Sequence, residues 1–74
     1  MTATIDIIRG AVANYTDHDP ALIMPETRLA DVADSLTQIE LFFYIEDATG
    51  KKIDPPNPLP ATVADLIALI EATS

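Results

Sequence analysis

The fold turns on one stretch: Ser35-Leu36-Thr37-Gln38-Ile39-Glu40-Leu41-Phe42-Phe43-Tyr44-Ile45-Glu46-Asp47-Ala48-Thr49-Gly50. Its spacing predicts a helix from about Ser35 to Ala48 or Thr49. Gly50 is the expected C-terminal stop, and Lys51 and Lys52 sit where cations suit the helix dipole. Set about 100° apart around the axis, Ile39, Leu41, Phe42 and Ile45 share one broad arc, assigned to a core. Glu40 and Asp47 fall on the other side, together with Leu36, Phe43 and Tyr44. Tyr44, and in part Phe43, can equally pack beneath the preceding loop; Leu36 is expected to be exposed and Glu46 solvated. Carboxylates interleaved with outward apolar groups suit protein docking: a partner desolvates the apolar groups and brings Lys or Arg to the acids.

Outward from this helix the chain reads as two further helices joined to it by two connections. Before it, Ile5, Ile8, Val12 and Tyr15 recur at three- and four-residue steps, predicting a helix from about Thr2 to Tyr15. Thr2 or Thr4 can cap it and Asp6 suits its positive end. Gly10 inside it costs about 1 kcal/mol relative to Ala. The connection from about Thr16 to Asp34 is long, a length that tends to be functional. Its apolar residues, Leu22, Ile23, Met24, Leu29 and Val32, imply packing on the core, with a helical turn at Leu22 to Met24. After the central helix, four prolines among residues 55–60 forbid a helix interior, so residues 53–60 read as an extended or 3₁₀-like linker. Thr62 with Asp65 forms a capping pair. Val63, Leu66, Ile67 and Ile70 make the buried stripe of a last helix ending near Ala72.

Composition narrows the function. Residues 1–74 amount to a single small all-α domain, whose elements must share one interior. With no Cys there is no disulfide frame, thiolate metal site or Cys nucleophile, and the lone His18 cannot build a His-rich metal centre. Asp17-His18-Asp19 reads as a solvated loop. A net charge of −8 repels nucleic acid and anionic membranes and favours basic protein surfaces. No apolar run reaches membrane-spanning length and no signal peptide is evident, so a cytoplasmic monomer is the expectation. No base–nucleophile pair, Gly-rich phosphate loop or metal-ligand set suggests an enzyme.

Asp34-Ser35 is the remaining motif. Both residue types are favoured N-caps, and Ser35 with Gln38 matches a Ser-x-x-Gln capping box. A helix start also suits a phosphodiester on the Ser35 hydroxyl, because free N–H groups and the dipole favour an anion there. Spacing alone does not choose between these roles, and they are compatible.

The run Leu29-Ala30-Asp31-Val32-Ala33-Asp34-Ser35-Leu36, followed by Ile39-Glu40-Leu41, resembles the acyl carrier protein motif, an Asp-Ser-Leu at the start of the second helix. Pro25-Glu26-Thr27-x-Leu29, Glu46-Asp47-x-x-Gly50-x-x-Ile53 and Thr62-Val63-x-Asp65-Leu66-Ile67 are similar to the family's approach to that motif, the end of its second helix and its last helix. The resemblance implies a four-helix bundle of three main helices, with the Pro-rich segment in place of a short third one. It implies that Ser35 receives 4′-phosphopantetheine from coenzyme A and that Asp34 contacts the phosphopantetheinyl transferase. Leu36, Glu40, Phe43 and Asp47 would recognise acyl-transferring or acyl-activating enzymes through their basic docking surfaces. Four departures accompany it. Val32 stands where the family has Gly, or a residue is deleted from the loop, and either implies a loop that turns differently. Phe42 and Phe43 are bulkier than usual, implying a reshaped acyl cavity. Lys51 and Lys52 replace residues often acidic, and the proline segment replaces a helix that helps gate cargo entry. Together they point to a specialised carrier in fatty-acid, polyketide or other lipid synthesis. The alternatives are a freestanding aminoacyl or peptidyl carrier, whose relatives usually carry Gly-Gly-x-Ser and less acidity, and an unmodified helical interaction module.

Overall fold

The computed structural model describes residues 3–73. They form an all-α structure: α1 (Thr4–Tyr15), a 3₁₀ turn (Pro20–Leu22), α2 (Leu29–Val32), α3 (Ser35–Thr49) and α4 (Val63–Ala72). The first helix packs against both α3 and α4. Ile8, Ala11 and Val12 of α1 meet Leu41, Phe42 and Ile45 of α3 and Val63, Leu66 and Ile70 of α4 in one buried cluster. Ile23, Leu29 and Ile53, all from connections or their edges, complete it. Burying such side chains is worth roughly 1.5–3 kcal/mol each, which explains why these connections close onto the helices; of the apolar residues expected to pack there Ile23 and Leu29 do, whereas Leu22 and Met24 stay exposed at 62% and 45%.

The long first connection is tied down at several points. The Arg9 guanidinium donates to the Ile23 carbonyl through Nη2 at 2.8 Å and Nε at 3.1 Å, holding buried Ile23 against α1. Further along, the chain runs antiparallel to the entry of α4. Leu29 N–H donates to Ala61 O at 3.0 Å, and Arg28 and Thr62 form an isolated bridge. The N–H groups of Val63 and Ala64, which the first turn of α4 cannot satisfy internally, donate to Thr27 O and Pro25 O at 2.9 and 2.8 Å. Thr62 caps α4 as expected, accepting from Asp65 N–H at 3.2 Å.

Several local expectations are corrected. Ala3 occupies the N-cap of α1 and supplies no side-chain cap; Thr4 lies within the helix and donates to Glu71 Oε2 of α4 at 3.3 Å. The Thr2 cap lies outside the described residues. The turn expected at Leu22 to Met24 forms instead at Pro20–Leu22, because Asp19 accepts from Ala21 N–H and proline presets the first backbone angle. Val32, standing where the resemblance places glycine, ends the single turn of α2. Among the described residues only Gly50 has a positive φ, so this approach to Ser35 needs no glycine. Residues 51–62 contain no helix, in keeping with their prolines. Tyr15, placed on the apolar face of α1, is 39% exposed and meets Tyr44 edge-on, ring centroids 6.4 Å apart. Gly10 is explained by the same contact, since a Cβ there would lie 2.8 Å from Tyr44 Oη.

Candidate functional site

The buried stripe of α3 is Gln38, Leu41, Phe42 and Ile45, spaced i, i+3, i+4, i+7. Ile39 sits half-buried at its flank. The periodicity therefore begins on a polar residue, and this overturns the proposed capping box. Gln38 turns into the core and its Nε2 donates to Ala33 O at 2.9 Å rather than reaching back to Ser35. Asp34 is the N-cap, accepting from Thr37 N–H at 2.8 Å, and its carbonyl accepts from Gln38 N–H at 2.9 Å. An ionised acceptor makes a stronger charge-assisted bond than a hydroxyl does, which favours the aspartate over the serine for this duty.

Ser35 is thereby relieved of capping. It is the first residue of α3 and exposed. Its N–H and that of Leu36 make no hydrogen bond with another described residue. The hydroxyl thus stands beside two free donors at the positive end of a helix of 15 residues, a place that stabilises a phosphate. The Asp34 carboxyl is held below its ordinary value by the backbone N–H of Thr37 first and the Thr37 hydroxyl second, so it remains ionised beside Ser35.

From Ser35 the outward face of α3 descends through Leu36, Glu40, Phe43 and Asp47. Leu36 is 69% exposed and Phe43 59%, large values for such side chains. Asp47 is exposed and Glu40 half-buried. Tyr44 does not join them; it is half-buried against the core cluster and packs beside Gly10 and Tyr15 of α1. Glu46, expected to be solvated, is half-buried, and its Oε2 accepts from the N–H of buried Ile53 at 2.9 Å. At the lower end of the face an open concavity of about 500 Å³ is lined by Phe43, Glu46, Asp47, Gly50, Lys51 and Lys52. The face is therefore acidic along the helix and mixed in charge at its foot.

A second concavity, of about 570 Å³, adjoins the first turn of α3. Gln38 forms one side, Arg28 and Thr62 another, and Leu59, Pro60 and Ala61 give it an apolar surface. The sequence reading missed it, since it exists only because the chain around residue 28 pairs with the chain around residue 62. Phe42, expected to reshape a cavity, is simply the largest core side chain at 2% exposure. Asp17 and His18 build no ligand set; among the described residues no three His, Cys, Asp or Glu side chains converge as metal ligands. Among them, too, no helix is long and apolar enough to cross a membrane.

Comparison of the chain with protein-family models, with curated proteins and with solved structures finds no match. The functional reading rests on the site itself and on the motif resemblance.

Proposed function

We propose that the chain is an acyl carrier protein of the four-helix carrier type, holding acyl intermediates as thioesters on a 4′-phosphopantetheine arm at Ser35. The observation that carries this reading is the division of labour at the head of α3: Asp34 does the capping, and Ser35 presents an exposed hydroxyl beside unpaired N–H groups. In the modification, Ser35 Oγ bonds to the pantetheine-side phosphorus of coenzyme A. The pyrophosphate P–O bond breaks, the adenosine nucleotide leaves, and the hydroxyl proton passes to the transferase. The carrier itself catalyses nothing. Its arm raises the effective concentration of cargo at successive active sites. The apolar and acidic face Leu36, Glu40, Phe43 and Asp47 supplies brief, salt-sensitive contacts with basic partners.

The decisive experiment is intact-protein mass after incubation with coenzyme A and a broad-specificity phosphopantetheinyl transferase, with Ser35→Ala alongside. One arm added, and none on the variant, is the expected result. No addition to the folded protein with several transferases, the native host's included, would favour an unmodified interaction module, for which exposed Leu36 and Phe43 already provide a surface. Glu40→Lys with Asp47→Lys is expected to weaken transferase binding at low salt while circular dichroism stays unchanged; undiminished binding would remove the docking role.

A further inference from the structure

The chain has four Lys and Arg side chains against 12 acids. Three of them have a placement unconnected with Ser35. Arg9 binds the Ile23 carbonyl and pairs with Asp6. Lys51 donates to Ile70 O at 3.2 Å, and Lys52 lines the concavity at the foot of α3. Arg28 is the exception. It is the one Lys or Arg between residues 16 and 50, it is exposed, and it makes no ion pair or side-chain hydrogen bond with another described residue. Asp31 and Glu26, its near neighbours in sequence, leave it unpaired. Yet its backbone is fixed by the bridge to Thr62, and the residue is among those that line the concavity beside α3.

That concavity is close to the attachment point. Gln38 lies three residues beyond Ser35, about 4.5 Å along the helix axis, and a pantetheine arm is several times longer. Hydrogen bonds from Leu29 to Ala61 O and from Val63 to Thr27 O hold the paired chains around residues 28 and 62 together on one side of it. Leu59, Pro60 and Ala61 suit a short methylene chain, whereas an unpaired guanidinium suits a planar anion, which it can bind through two parallel hydrogen bonds.

We propose that this groove receives the end of a cargo tethered at Ser35, and that Arg28 selects an acyl group bearing a second, free carboxylate. The proposal rests on the carrier reading for its tether. An exposed ion pair is weak between free molecules, but tethering supplies the local concentration that makes a weak contact selective. The rest of the surface works the other way: a net charge of −8 opposes a carboxylate anywhere except near a cation. The two influences have opposite signs, which makes the proposal testable by titration.

The chain has no cysteine, so Ser35→Cys provides a single thiol to which a pantetheine-like linker can be attached without any transferase. One linker carries a short ¹³C-labelled chain ending in a carboxylate, the other the same chain ending in a methyl ester. The terminal carboxylate is titrated by its ¹³C shift, and backbone amide shifts are followed at Arg28, Gln38 and Thr62. Expected is a carboxylate pKa about half a pH unit below that of the free linker, lost in Arg28→Gln and in high salt. Groove amides should shift with the acid and much less with the ester. A carboxylate pKa equal to or above that of the free linker, or one unchanged by Arg28→Gln, would overturn the proposal. Because attachment is chemical, this result is read independently of the mass experiment: a failed transferase reaction removes the carrier, and a failed titration removes only the anionic cargo.

Discussion

The two ends of α3 are finished by different means. At its C-terminus, Gly50 turns left-handed with φ 71° and its N–H donates to Glu46 O at 2.8 Å. The Glu46 side chain then accepts from Ile53 N–H seven residues on, and Lys51 Nζ reaches across to Ile70 O at the end of α4. At its N-terminus every side-chain bond stays local, Asp34 to Thr37 and Gln38 to Ala33, and beyond them Ser35 and Leu36 face solvent. One end is joined to distant parts of the chain and the other is closed only on itself. Such an arrangement holds the helix in place from below while leaving Ser35 and Leu36 at its head exposed.

If this contrast is correct, the largest losses of stability come from the joined end. Glu46→Ala leaves the N–H of Ile53 without its acceptor next to a buried side chain, at a cost of about 1–3 kcal/mol in chemical denaturation. Glu46→Gln keeps an amide oxygen for the same N–H and should recover most of that loss. Equal losses in both variants would assign the role of Glu46 to its charge instead. Gly50→Ala comes next. No atom obstructs a Cβ there, so its cost of about 1 kcal/mol is that of the left-handed backbone alone. A larger cost would show that the turn also depends on close packing.

These residues also indicate what a linear reading reaches. Gly50, the Thr62–Asp65 cap, Val63, Leu66 and Ile70 of the α4 stripe and the exposure of Leu36 were legible because each depends on neighbours within one or two turns, whereas the sequence left Phe43 open between exposure and packing beneath the loop, and Ile67 of the stripe is only partly buried. Glu46 was not, since its partner is fixed by the path of the Pro-rich segment. The four-residue α2 is too short to display a period. Gly10 and Tyr44 account for each other only once α1 lies on α3. Ser35–Gln38 was misread because two capping patterns overlap by one residue. Asp34 with Thr37 prevailed, releasing Gln38 to the core. The Arg28 groove was illegible for the most general reason, since Arg28 and Thr62, whose pairing forms it, are 34 residues apart in sequence (62 − 28).

At the open end the expected effects are smaller and depend on pH. The Asp34 carboxyl has a folded-state pKa below the ordinary aspartate value of 3.8. Its contribution to stability is therefore complete above the unfolded value and is lost as pH falls through the folded one. Asp34→Ala should lower the melting temperature at neutral pH by less than Glu46→Ala does, and the gap from the parent protein should narrow as pH falls below 3.8. A gap that is constant with pH would mean that the cap acts through helix geometry and not through the ionised carboxylate.

The smallest stability effect is expected at Ser35, the residue on which the proposed function depends most. Ser35 is exposed at the first position of α3 and gives the cap nothing, and alanine is the better helix former. Ser35→Ala should therefore move unfolding by no more than about 0.5 kcal/mol while abolishing addition of the arm. A destabilisation matching that of Asp34→Ala would mean that the hydroxyl shares the capping duty. Loss of modification could then no longer be separated from damage to the helix start, and the contrast between the two ends of α3 would fail where the carrier reading most depends on it.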